Sequence, residues 1–194
     1  EGLITTTDKL KPYAKECIYR LKSMGLKVIM LTGDNKITAK AIARQLDIDD
    51  VIAEVLPSGK RDEIKKQMEA GHKVGMVGDG INDAPALAES TVGIALGSGT
   101  DVAMEASDIT LVNSDIRAVA QSIELSRKTL AKIRQNLFWA FFYNLLGIPI
   151  AAGVLYPFYG FLLKPVFAAL AMSLSSVSVV LNSLLLKRFS PTKL

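Results

Sequence analysis

In 194 residues the chain has one cysteine, one histidine and one tryptophan. The lone Cys17 excludes an internal disulfide framework, and its place in a helix-like run with Ala14, Leu21 and Met24 on one face makes it a buried structural thiol. His72 falls at a helix-to-strand turn and reads as an ordinary surface side chain. Acid is the sharper shortage: residues 127–194 contain no Asp or Glu, and all 19 acidic residues lie in 1–126. The first stretch, with 15 Lys/Arg, is −4, and the second, with 8, is +8. The formal net charge of +4 and pI near 9.1 therefore join two unlike regions. A content of 49% hydrophobic and 22% charged residues excludes a disordered tail and a collagen-like repeat. No charged n-region or cleavage pattern opens the chain, which argues against a signal peptide.

Two stretches without any charge, about 136–155 and 166–186, are each long enough to cross a bilayer as a helix. They predict a transmembrane hairpin; two buried helices of a soluble protein are the alternative. Arg127, Lys128, Lys132 and Arg134 precede the first stretch, and Lys187, Arg188 and Lys193 follow the second. Only Lys164 lies between them, so the positive-inside rule predicts a multi-pass membrane segment with both ends cytosolic. The 127–134 cluster suits anionic lipid headgroups. Because the basic residues flank the apolar stretches rather than forming a stripe, nucleic acid is not an expected partner.

Residues 1–126 alternate apolar runs at 28–31, 51–55, 74–77, 92–96 and 109–112 with helix-period stretches near 12–24, 36–46, 58–70 and 83–89. That order predicts an α/β domain with a mostly parallel sheet. From 115 to 146 there is neither Gly nor Pro. The apolar spacing there predicts one helix of about 32 residues, roughly 48 Å long, running from a 1–126 domain into a 127–194 stalk and membrane domain.

Two polar clusters stand where strands should end. They are Leu31-Thr32-Gly33-Asp34-Asn35 and Val77-Gly78-Asp79-Gly80-Ile81-Asn82-Asp83-Ala84-Pro85. Glycines allow close approach of a phosphate, hydroxyl and amide groups bind its oxygens, and carboxylates can hold Mg²⁺, a hard cation. Lys60, near a helix start, supplies a balancing positive charge. The combination predicts phosphoryl transfer governed by positioning and electrostatics. Taken singly, either cluster reads equally as turn residues.

These two clusters, extended through Ala86-Leu87, together with Pro57…Lys60, resemble motifs of the P-type ATPases, in particular the heavy-metal branch. The resemblance covers essentially the whole chain. It implies a Rossmannoid haloacid-dehalogenase-like (HAD-like) phosphorylation domain followed by the last two membrane helices of a pump. It also implies that Asp79 ligates Mg²⁺, that Asp83 and Asn82 organise metal and phosphoryl group, and that Thr32 and Lys60 contact phosphoryl oxygens, with Gly33 and Asp34 in the same catalytic loop. The family nucleophile lies in Asp-Lys-Thr-Gly-Thr, which these 194 residues lack. Asp8-Lys9 opens similarly but continues Leu10-Lys11-Pro12, so Asp8 reads as a helix-start carboxylate. The chain therefore resembles the C-terminal piece of a pump, inactive alone. Its implied partners are the actuator and nucleotide-binding domains, earlier membrane helices with a Cys-Pro-Cys pair, the lipid bilayer and a copper chaperone, with ATP as co-substrate.

The uncharged stretches carry Tyr143-Asn144, upstream of Gly147 and Pro149, and Met172…Ser176, four apart and on one helix face. Thioether sulfur is soft and suits Cu(I), whereas Ca²⁺ or Na⁺ would require carboxylates. Small serines and a methionine also serve helix packing. Tyr-Asn and Met-x-x-Ser-Ser resemble the signature of monovalent copper pumps. That implies Tyr143, Asn144, Met172 and Ser176 as ligands of transported Cu⁺, and of Ag⁺ as well, with Asn182 a packing amide. A divalent Zn²⁺-type pump and a truncated non-catalytic membrane module are the alternatives.

Overall fold

A computed structural model describes residues 10–97, 101–154, 156–160 and 165–190, without the side chains at 159, 165 and 167–172. Asp8 lies outside the described residues. The chain divides into two compact units between Gln121 and Ser122.

In the first unit helices and strands alternate as the sequence leads one to expect. The order is α1 (Ala14–Ser23), β1 (Ile29–Leu31), α2 (Lys36–Leu46), β2 (Asp50–Ile52), α3 (Pro57–Glu69), β3 (Gly75–Gly78), α4 (Ala84–Glu89), β4 (Val92–Leu96), α5 (Asp101–Glu105) and β5 (Ile109–Leu111). Local chemistry sets several ends. The Asn35 side chain accepts the Thr38 N–H and caps α2. Pro57 opens α3, where its missing N–H costs nothing. Gly25 and Gly71 follow α1 and α3 with φ of +78° and +89°, the left-handed turn that ends many helices. The short α5 has no counterpart among the expected helices, because five residues give too little periodicity to read.

All strand pairs are parallel, but the described strands form two sheets, β1-β2 and β3-β4-β5, instead of one. The two share packing without a common ladder. Leu31, at the end of β1, lies against the buried cluster of Ile64, Met76, Ala86, Leu87 and Ala103. Leu87 is 1% exposed, and burying such a side chain stabilises by about 1.5–3 kcal/mol. Its helix sits close on β4, because a Cβ at Gly93 would lie 2.7 Å from the Leu87 carbonyl oxygen. A second cluster joins Ala14, Ile18 and Leu46, with Leu10 and Val28 packed on it.

Cys17 is buried, and its thiol donates to the Ile116 carbonyl at 3.2 Å. Burial pushes its pKa up, so the neutral thiol is favoured, in keeping with a structural role. Next to it, Arg117 donates to Asp115 in two-pronged fashion, at 2.9 Å from Nε and 2.6 Å from Nη2. These bonds hold the Asp115 carboxyl below the usual carboxylate range.

The long helix α6 runs Arg117–Ala151. It starts two residues later than expected and continues five further, since Gly147 and Pro149 do not end it. Beyond it come α7 (Tyr156–Tyr159) and α8 (Pro165–Leu184). Among the described residues no helix is long and apolar enough to cross a membrane. The expected membrane hairpin at 136–155 and 166–186 is thus not confirmed: α6 carries Asn136, Asn144 and Pro149 within the first stretch, and the side chains at 167–172 of the second lie outside the described ones.

Within the second unit, α6 and α8 meet through polar side chains. Lys132 Nζ donates to Asn182 Oδ1 at 2.8 Å, Asn182 Nδ2 to Asn136 Oδ1 at 2.7 Å, and Asn136 Nδ2 to Ser183 Oγ at 2.9 Å.

Candidate functional site

Both polar clusters leave the carboxyl ends of parallel strands, the usual place for ligands in such sheets. After β1, the Thr32 hydroxyl donates to Asp34 Oδ2 at 2.9 Å and accepts the Asp34 N–H at 3.1 Å. The loop is also tied to the end of β2. Thr32 N–H donates to the Ile52 carbonyl, Val55 N–H to the Thr32 carbonyl and Glu54 N–H to the Asp34 carbonyl, at 3.0, 3.1 and 2.9 Å. Exposed Gly33 and Asp34 are thereby held on a fixed backbone.

After β3 comes Asp79, then a 3-10 turn at Ile81–Asp83, closed by the Asp83 N–H on the Gly80 carbonyl at 3.0 Å. The turn folds back hard on the strand. A Cβ at Gly78 would stand 2.7 Å from Asp83 Cβ and 2.9 Å from its Oδ2, so only glycine leaves Asp83 in place. From the first turns of α3, Lys60 Nζ reaches Asp83 Oδ1 at 2.7 Å, with the two side chains 17% and 14% exposed. Asp79 Oδ2 receives the Lys11 ammonium at 2.7 Å in a far more open setting, 47% and 42% exposed. Asn82 is exposed between the two carboxylates in sequence.

Every side-chain acceptor offered by Asp79, Asn82 and Asp83 is a hard oxygen, which fits Mg²⁺. Among the described residues no three His, Cys, Asp or Glu side chains converge. Two carboxylates with water and phosphate completing the shell would suit Mg²⁺ better than Ca²⁺, which takes more protein oxygens.

In the second unit, Asn144 Nδ2 donates to the Ala140 carbonyl of its own helix at 3.1 Å. Tyr143 lines a cleft of about 310 Å³ with Lys132, Asn136, Ser178 and Asn182. Adjacent residues on a helix point about 100° apart, so Tyr143 and Asn144 do not share one direction. Ser176 is exposed on α8, and the Met172 side chain lies outside the described ones.

Residues 1–91 match the haloacid dehalogenase-like hydrolase family. Copper-transporting ATPase 2 of Rhizobium meliloti is 54% identical over 190 residues, 98% of this chain and 23% of its own length. A silver exporting P-type ATPase of Salmonella typhimurium is 53% identical over 186 residues, 96% of this chain and 23% of its own. A crystal structure of a zinc-transporting PIB-type ATPase in its E2.Pi state superposes with a TM-score of 0.80 at 38% identity, over 92% of this chain and 28% of that one.

Over nearly its whole length the chain is similar to heavy-metal P-type ATPases.

It spans about a quarter of the length of the curated relatives it matches. The hydrolase match takes in both loops and Lys60. The structure brings Lys60 to Asp83 and Thr32 to Asp34. Among the described residues no hydrogen bond or ion pair links the Thr32–Asp34 loop to Lys60, Asp79, Asn82 or Asp83, since the loops end strands of different sheets. Sequence reasoning missed Lys11 as a partner of Asp79. The two are 68 residues apart, and nothing in Leu10-Lys11-Pro12 announces a site; only the fold supplies that contact.

Proposed function

We propose that the chain is part of an ATP-driven pump that exports Cu⁺, and Ag⁺ with it, through an aspartyl-phosphate cycle. The observation that carries the reading is the shielded Lys60–Asp83 pair beside Asp79, at the carboxyl end of β3 in a chain that matches copper- and silver-pump relatives over nearly its whole length. The phosphorylated aspartate comes from residues outside these 194, as do the actuator and nucleotide-binding domains and the earlier membrane helices with their Cys-Pro-Cys pair.

Asp79 and Asp83 would hold Mg²⁺, which supplies charge neutralisation at the phosphoryl group. Lys60 offsets negative charge on the phosphoryl oxygens and keeps Asp83 oriented. Asn82 offers its amide, and Thr32 its hydroxyl, to those oxygens. Gly33 lets the backbone come close, and Asp34 holds the Thr32 hydroxyl in place.

The membrane reading draws support from composition and exposure. Phe138, Phe141, Leu145 and Ile148 on α6 are 61–72% exposed, a surface that needs lipid or further helices as cover. On this reading 136–155 and 166–186 form a hairpin with cytosolic ends. Tyr143, Asn144, Met172 and Ser176 contribute to the ion path once the remaining helices are present. No carboxylate occurs in either stretch, which favours a soft monovalent cargo over Zn²⁺. Identity points the same way, at 53–54% to the copper and silver pumps against 38% to the zinc one.

In the intact pump, Met172→Leu should lower Cu⁺-stimulated ATP turnover about tenfold or more while phosphorylation from inorganic phosphate stays within about twofold. A thioether ligand is lost and the phosphorylation site is untouched. Turnover assays against free Cu⁺ check this; unchanged copper dependence would return Met172 to helix packing.

A further inference from the structure

The backbone that carries Lys11 is anchored on both sides. On one side of it Leu10 packs on the Ala14, Ile18 and Leu46 cluster. On the other, Tyr13 stands at φ 62°, ψ 13°, a left-handed conformation that a bulky side chain adopts only under constraint. The constraint is visible: the Arg117 guanidinium lies 3.9 Å from the Tyr13 ring centroid, and Arg117 is itself clamped by Asp115. The Ala14 N–H closes the turn on the Lys11 carbonyl at 3.2 Å. A short, fixed turn therefore delivers the ammonium to Asp79 Oδ2 at 2.7 Å.

We infer that Lys11 is a positioning residue that serves Asp79 as a built-in, removable counter-cation. It holds the carboxylate in place while no divalent cation is bound and releases it when Mg²⁺ binds. This rests on the phosphoryl-transfer reading above. The charge bookkeeping favours exchange over permanence. Asp83 already has its own shielded ammonium from Lys60, whereas the Lys11–Asp79 pair is open to water and worth little as an ion pair. A weak, exposed pair holds a ligand oriented without competing strongly for it. Once released, the Lys11 ammonium stays beside the site, free to balance an incoming phosphoryl group.

The test is Mg²⁺ binding alone, read in the intact, nucleotide-free and phosphate-free protein as the rise of its unfolding midpoint with Mg²⁺ concentration. Lys11→Gln removes the competitor, so half-saturation should come at about twofold to fivefold lower Mg²⁺. Lys11→Arg should restore the original dependence, and in an Asp79→Asn background Lys11→Gln should shift nothing. A Mg²⁺ response that Lys11→Gln leaves unchanged, or moves to higher concentration, overturns the role of Lys11 alone. No Mg²⁺ response in either protein would overturn the phosphoryl-transfer reading with it.

Discussion

Asp79→Asn should abolish formation of the acyl-phosphate from ATP in the intact pump, a loss of at least about 10³-fold. The metal-phosphate contact supplies several kcal/mol, and each 1.36 kcal/mol is a factor of ten in rate. The fold should hardly notice. Asp79 is 47% exposed and its ion pair with Lys11 is open to solvent, so the unfolding midpoint without Mg²⁺ should move by no more than a degree or two. Acid-stable incorporation of labelled phosphate, measured beside thermal unfolding, separates the two effects. Normal phosphoenzyme in a well-folded variant would remove Asp79 from the site.

Lys60→Met should behave differently, because it strikes both chemistry and fold. The Lys60–Asp83 pair is 17% and 14% exposed, and taking away one member leaves a shielded carboxylate without its counter-charge, at a cost of about 3 kcal/mol. Asp83 cannot readily turn away, since its Cβ and Oδ2 already crowd the space above Gly78. Phosphorylation should fall about 10²–10³-fold, the usual loss for one preorganised donor at a developing charge. Adding Asp83→Asn should restore much of the stability and none of the activity. Recovered phosphorylation in the double variant would show that Lys60 acts only by packing.

The contrast between these two carboxylates explains what could be read from sequence. Gly-Asp-Gly-Ile-Asn-Asp after an apolar run marks a loop of the right chemistry, and Pro57…Lys60 marks a helix start with a cation. The parallel strands that carry them follow from the alternation of apolar runs and helix periods. Lys11 was illegible because its role depends on a contact across 68 residues and on a left-handed Tyr13 that no propensity announces. The split into two sheets was equally hidden, since strands of three residues leave no pattern that says which neighbour they pair with. In the second unit, composition told of uncharged helices. It did not foretell that α6 would pass through Pro149, or that Lys132, Asn136 and Asn182 would link it to α8. Asn182, expected to serve packing, takes part in that link.

The most direct test of the account is the metal dependence of ATP hydrolysis by the purified intact pump, measured with Cu⁺, Ag⁺ and Zn²⁺ under reducing conditions. The account predicts stimulation of about tenfold or more by Cu⁺ and Ag⁺ and little or none by Zn²⁺. Stimulation by Zn²⁺ with no response to Cu⁺ would contradict it.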